Sequence, residues 1–186
     1  MKDQDQILLE NIYERQYKSG RQSGIVLGSS VVGNEYLPKI LELYKDKDPS
    51  EVSILDAGSG KHAQYTKTLR DRGYDAKAID LPENMEQGIH NSDAFSYDYD
   101  IVFSGRVLNV FSDLNDLESF IKQISNVTKP NGYYLCNLPV GPRNFGAYEG
   151  LSIKEGNILV QEILSKYFKD VKILADRSGP IFLAQK

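Results

Sequence analysis

The chain has 186 residues and a formal net charge of −4, a length that suits one domain whose core needs no staple. The negative balance gives the molecule as a whole no attractive field for nucleic acid or anionic membrane, leaving a local basic patch as the only route to either. A lone cysteine, Cys136, excludes an internal disulfide or a cysteine metal cluster, so no metal is expected; with acids near the start and no run of about 20 apolar residues, the expected location is the cytoplasm and no membrane contact.

Leu8, Leu9, Ile12 and Tyr13 share one face of a short helix at the start. The following YKSGRQSGIVLGSSVVGN carries too many glycines and serines to continue it. A second helix is expected from Asn34 to Tyr44, where Leu37, Ile40, Leu41 and Tyr44 repeat at helical spacing and Pro38 sits near the first turn. From Glu51 strands alternate with helices. VSILDA is a strand that stops at Gly58-Ser59-Gly60, a helix runs from Lys61 to Arg72 with Gly73 as its C-cap, and AKAID is a second strand. Leu81 to Asn91 is expected to hold a stub of helix and a third strand, to which His90 would belong in a structural role. YDIVFS is the fourth strand. Leu114, Leu117, Ile121 and Ile124 mark a helix capped by Ser112 or Asp113. KPNG is a turn, YYLCNL the fifth strand, and Leu159, Ile163, Leu164 and Tyr167 the last helix. VKILADRSGPIFLAQ then reads as a hairpin. The expected fold is α/β: a doubly wound, mostly parallel, seven-stranded sheet with a C-terminal antiparallel hairpin and helices on both faces.

In such a sheet ligands bind beyond the carboxyl ends of the strands, beside the first one. Asp56, Ala57, Gly58, Ser59 and Gly60 stand there. Glycines permit the sharp turn and the close approach of a ligand, and the next helix offers free N–H groups to an anion. Asp80 ends the second strand about 20 residues on, where a carboxylate can accept from a ribose diol. Asp93 and Ala94, after the third strand, are placed to meet an adenine amine. Gly58, Gly60 and Ala63 also fit the G-x-G-x-x-A spacing of a nicotinamide site.

ILDAGSGKH resembles the first motif of the class I S-adenosylmethionine-dependent methyltransferases, with an acid ahead of the glycine loop. AID at 78–80 resembles their ribose-binding acid and SDA at 92–94 their adenine-contacting segment. YDIVFSGRVLNVFSD, then LESFIKQISNVTKPNGYYL, resemble their fourth strand, next helix and following turn. The terminal hairpin is a hallmark of the same fold. The resemblance implies seven strands, S-adenosyl-L-methionine as cofactor, and a cofactor site of Asp56 to Gly60, His62, Asp80, Leu81, Asp93, Ala94, Ser104 and Gly105. His62 stands where the family usually has a third glycine, and SGRV replaces the NPPY-type tetrapeptide common in enzymes that methylate bases. The chain then divides into an N-terminal helical lid, residues 1–48, packed on a methyltransferase domain, residues 49–186, within one domain overall.

Methyl transfer needs a nucleophile held in line with the sulfonium carbon, and positioning supplies much of the acceleration. No side chain is singled out as catalytic. The acceptor side is expected in the loops at the same edge, with Tyr17, Arg21, Arg106, Asn109 and Arg143 as candidate substrate residues, Lys18 beside them and Tyr13 with Tyr17 as a cover. Cations converging there point to a small anionic acceptor. An RNA or DNA methyltransferase, a non-catalytic methyltransferase-like partner subunit and a nicotinamide-dependent oxidoreductase stand as alternatives. Cys136 is read as inert core, and the oligomeric state is not legible.

Overall fold

The structure is a computed structural model that describes residues 32–138, 146–175 and 180–186. The residues read as a lid up to 31, among them Tyr13, Tyr17, Lys18 and Arg21, lie outside the described residues, as does Arg143.

The described sheet has six strands: β1 (Ser53–Ala57), β2 (Asp75–Ile79), β3 (Tyr99–Ser104), β4 (Thr128–Asn137), β5 (Asp170–Ala175) and β6 (Ile181–Gln185). Their order is β2-β1-β3-β4-β6-β5. The first four run parallel, while β6 is antiparallel to both β4 and β5, as the hairpin requires. Neighbouring residues face opposite sides of a strand, and here both sides are covered. Ile54, Ile101, Phe103 and Leu135 face a core built with Leu37, Ile40, Leu41 and Leu69. Leu55, Val102, Tyr134 and Cys136 face another, built with Leu117, Phe120, Ile121, Ile124, Val160, Ile163 and Leu164. That is why the central strands read as continuous apolar runs.

The helices lie close to their expected places. From Val32 to Tyr44 the chain is helical in three pieces: a wide turn, α1 (Leu37–Leu41) with Pro38 in its first turn, and a tighter 3-10 turn. Next, α2 (Gln64–Asp71) begins three residues later than expected, because Ala63 takes a left-handed backbone with φ 40°. For α3 (Leu114–Val127) the cap is Asp113, whose side chain accepts from the Asp116 N–H. Finally, α4 (Ile153–Tyr167) opens with a capping box of Ser152 and Glu155. The KPNG turn is present as a bulge inside β4: Tyr99 pairs with Thr128 but Ile101 with Tyr133, so three extra residues are looped out.

The sequence reading fails at one strand. Between β2 and β3 the chain makes short turns, including a 3-10 turn at Pro82–Asn84, and no third strand. The physical reason lies on the outer edge of β2. The Arg70 guanidinium donates to the Ala76 carbonyl at 2.8 Å, to the Ile89 carbonyl at 3.0 Å and to Asn91 Oδ1 at 2.9 Å. Asn91 in turn accepts from the Ala78 N–H at 3.3 Å and donates its own N–H to the Ala78 carbonyl at 2.8 Å. One arginine and one asparagine therefore do the work of a strand on that edge. Arg70→Met is expected to lower the unfolding free energy by about 2–3 kcal/mol, the scale of hydrogen bonds from a charged donor. Urea unfolding measures this, and Arg70→Lys should recover little, because an ammonium lacks the planar fork.

Candidate active site

At the carboxyl end of β1 the chain turns through Gly58, Ser59 and Gly60. The Gly58 N–H donates to the Ile79 carbonyl at 2.9 Å and the Ser59 N–H to the same oxygen at 3.2 Å, which ties the loop to the end of β2. Gly58 has φ +88°, and a Cβ there would lie 2.2 Å from Cγ2 of Val107. Only glycine satisfies both the backbone and the neighbour. Around Gly60 the surroundings differ: a Cβ would meet nothing within 4 Å. The loop thus has one crowded glycine facing the protein and one facing open space.

Asp80 follows β2 and is 5% exposed. Its Oδ2 accepts from the Gly60 N–H at 2.6 Å, and its Oδ1 accepts from the Leu81 N–H at 2.8 Å and from Asn84 Nδ2 at 2.7 Å. The Gly60 carbonyl is held as well. His90 Nδ1 accepts from the Glu86 N–H at 3.0 Å, so the ring proton belongs on Nε2, which lies 3.0 Å from the Gly60 oxygen. His90 therefore fastens the segment after β2 to the glycine loop rather than sitting in a strand. His62 is exposed on the loop.

Behind the loop, Asp56 is fully buried in β1 and accepts from the Thr66 hydroxyl at 3.2 Å. Burial pushes its carboxyl up to about 8, the hydrogen bond from Thr66 pulls the other way, and the charge of Asp80 adds to the rise. Asp93 is exposed and accepts from the Tyr97 hydroxyl at 2.8 Å, while the Lys77 ammonium stands over the Tyr97 ring. Ala94 is buried, its carbonyl accepting from the Tyr99 hydroxyl at 2.6 Å. Leu81 is buried beside Asp80.

Ser104 ends β3, buried, and Gly105 and Arg106 turn away from it. Arg106 has φ 62°, and its N–H donates to Asn137 Oδ1 at 2.8 Å. Its side chain is exposed, and Asn109 is half-buried three residues on. The segment after β4 returns to grip this loop: the Tyr148 hydroxyl donates to the Leu108 carbonyl at 2.7 Å and the Ala147 N–H to the Phe111 carbonyl at 3.1 Å. The ends of β1, β2, β3 and β4 thus meet at one edge. Asn84, His90, Val107, Asn137 and Tyr148 belong to this assembly, and their roles in it were not foreseen: Asn84 reaches Asp80 from four residues on, while the others act across 30 residues or more. Cys136 is buried, and burial pushes its thiol far above the ordinary range, which leaves it inert.

Two outcomes test this geometry. Because the native Asp56 carboxyl holds a proton that the unfolded chain releases, its contribution to stability is complete below pH 3.8 and is lost as pH rises through about 8. Asp56→Asn removes that titration, so its melting temperature should fall less than that of the wild type between these limits. Gly58→Ala should cost about 2–4 kcal/mol in urea unfolding from backbone strain and overpacking together, and Val107→Ala should return only the packing part.

A family model described as a methyltransferase domain matches residues 32–168. None of the curated proteins compared matches the chain. Among solved structures, the chain is similar to 1,6-didemethyltoxoflavin-N1-methyltransferase of Burkholderia thailandensis, bound to 1,6-didemethyltoxoflavin and S-adenosylhomocysteine. Identity is 14% and the TM-score 0.57, over 97% of this chain and 88% of that one. A sugar N-methyltransferase of a Streptoalloteichus species is 11% identical with a TM-score of 0.56, over 94% and 92%. A TehB-like S-adenosylmethionine-dependent methyltransferase of Corynebacterium glutamicum is 15% identical with a TM-score of 0.52, over 96% and 98%. The glycine spacing that equally allowed a nicotinamide site thus sits in a methyltransferase fold. The chain belongs to the methyltransferase-domain family, S-adenosylmethionine-dependent enzymes of the class I, Rossmann-like kind.

Proposed function

We infer that the chain transfers the methyl group of S-adenosylmethionine to a small anionic acceptor held by the loops at this edge. The observation that carries the cofactor half is the meeting of the Asp80 carboxylate with the glycine loop through the Gly60 N–H. The donor set fits the group: an acid for ribose, open space at Gly60, and a buried carboxyl at Asp56 behind the loop. When bound, the cofactor supplies a methyl group activated by a sulfonium sulfur. In this reading Asp80 and Leu81 hold the ribose and the near side of the adenine. Asp56, Ala57, Gly58, Ser59, Gly60 and His62 line the methionine end. Asp93 and Ala94 bound the adenine, and Ser104 and Gly105 close the floor beyond β3.

The acceptor side rests on Arg106 and Asn109, with Tyr17, Arg21 and Arg143 as further candidates. The exposed Arg106, on a turn fixed by Asn137, offers a fork suited to a carboxylate or phosphate. Two of the similar structures are named for small acceptors, a toxoflavin precursor and a sugar, and span little more than this chain. Among the described residues this edge is framed by loops, which favours the same class. A cytoplasmic location goes with it; among the described residues no helix is long and apolar enough to cross a membrane.

Titration calorimetry with S-adenosylmethionine, S-adenosylhomocysteine and NADH tests the cofactor half. The two sulfur compounds should bind and NADH should not. Asp80→Ala should weaken binding about 10- to 100-fold, the scale of one lost hydrogen bond to a charged acceptor. Incubating labelled cofactor with metabolite pools and with RNA or DNA tests the acceptor half. Label in small acidic molecules is expected, and label in nucleic acid alone would sink that assignment.

A further inference from the structure

Asp80 has fewer acceptor positions free than a ribose diol can use. An ionised carboxylate offers about four lone-pair sites on two oxygens. Oδ1 already accepts two hydrogen bonds, from the Leu81 N–H and from Asn84 Nδ2, and Oδ2 accepts one, from the Gly60 N–H. Among the described residues no other donor reaches Asp80, so one site remains, and it is on Oδ2. A diol gripping both oxygens needs a second site on Oδ1, and the group standing in it is the Asn84 amide. The two backbone donors are held close by the chain itself: Leu81 adjoins Asp80, and His90 fastens Gly60 at its carbonyl. Asn84 is also held in place: it is 8% exposed, and its N–H donates to the Leu81 carbonyl at 2.8 Å.

We propose that Asn84 is a specificity-determining residue of the ribose subsite, filling one acceptor position on Asp80 so that a single ribose hydroxyl, not the diol, is recognised there. The proposal rests on the cofactor reading above and deepens it. The amide donor on Oδ1 takes the place that a second hydroxyl would occupy. Recognition of the ribose at Asp80 is then one-sided, and a ribose lacking the other hydroxyl is tolerated.

Calorimetry on the full chain with S-adenosylhomocysteine and its 2′-deoxy and 3′-deoxy analogues reads this directly. The wild type should lose about 10-fold in affinity for one analogue and less than about 3-fold for the other, the difference between a lost charged hydrogen bond and none. In Asn84→Ala, with Oδ1 open to the second hydroxyl, both deletions should cost about 10-fold. Equal losses in the wild type overturn the proposal, as does an asymmetry that the variant leaves unchanged. Absence of S-adenosylhomocysteine binding to the wild type overturns the cofactor reading itself, and so is distinct from either result. The wild-type comparison needs no variant; if Asn84→Ala does not fold, Asn84→Leu keeps the volume, lacks the donor and reads the same contrast.

Discussion

A carboxylate taken out of water must find donors, and at Asp80 the three donors come from two separate stretches of the chain. The Gly60 N–H comes from the loop after β1, the Leu81 N–H from the residue that follows, and the amide from Asn84 one turn on. Each of these groups would otherwise face solvent or lie unpaired. The loop after β1 and the segment after β2 therefore take their shapes from one buried charge. His90 repeats the arrangement from the other side by binding the carbonyl of the residue whose N–H Asp80 holds.

The same edge is tightened from the far strands. Val107 fills the space that a side chain at residue 58 would need, Asn137 fixes the Arg106 turn, and Tyr148 binds the loop after β3 through Leu108. Among the described residues, the glycine loop and the Arg106–Asn109 loop are thus parts of one connected body. That connection favours positioning of the kind methyl transfer needs, because these described loops hold one another in register.

What the sequence made legible was whatever depends on near neighbours. The run from VSILDA through Gly58 and Gly60 to Asp80 announces strand, loop, helix and strand in order, and the Ser-Gly-Pro turn announces the hairpin. Asp113 was readable as a cap because its partner, Asp116, is three residues away. The missing strand was not readable. Leu81 to Asn91 holds apolar residues at the right place for one, and only the contacts of Arg70 and Asn91 with the β2 backbone explain why none forms. The role of His90 was hidden for the same reason, its partner lying 30 residues away at Gly60. Asp56 was visible as an acid before a glycine loop, but its retained proton comes from burial and the nearby Asp80, which a linear reading does not contain.

The closed edge of β2 also bears on how molecules of this chain meet one another. A bare edge strand is a template on which a second chain can lay its own backbone. On β2 the outward carbonyls of Ala76 and Ala78 and the Ala78 N–H are already engaged. A strand arriving from another copy finds no ladder to extend, so the sheet cannot grow in that direction. Arg70 and Asn91, two polar residues that end a fold, serve equally to keep its copies apart at that edge.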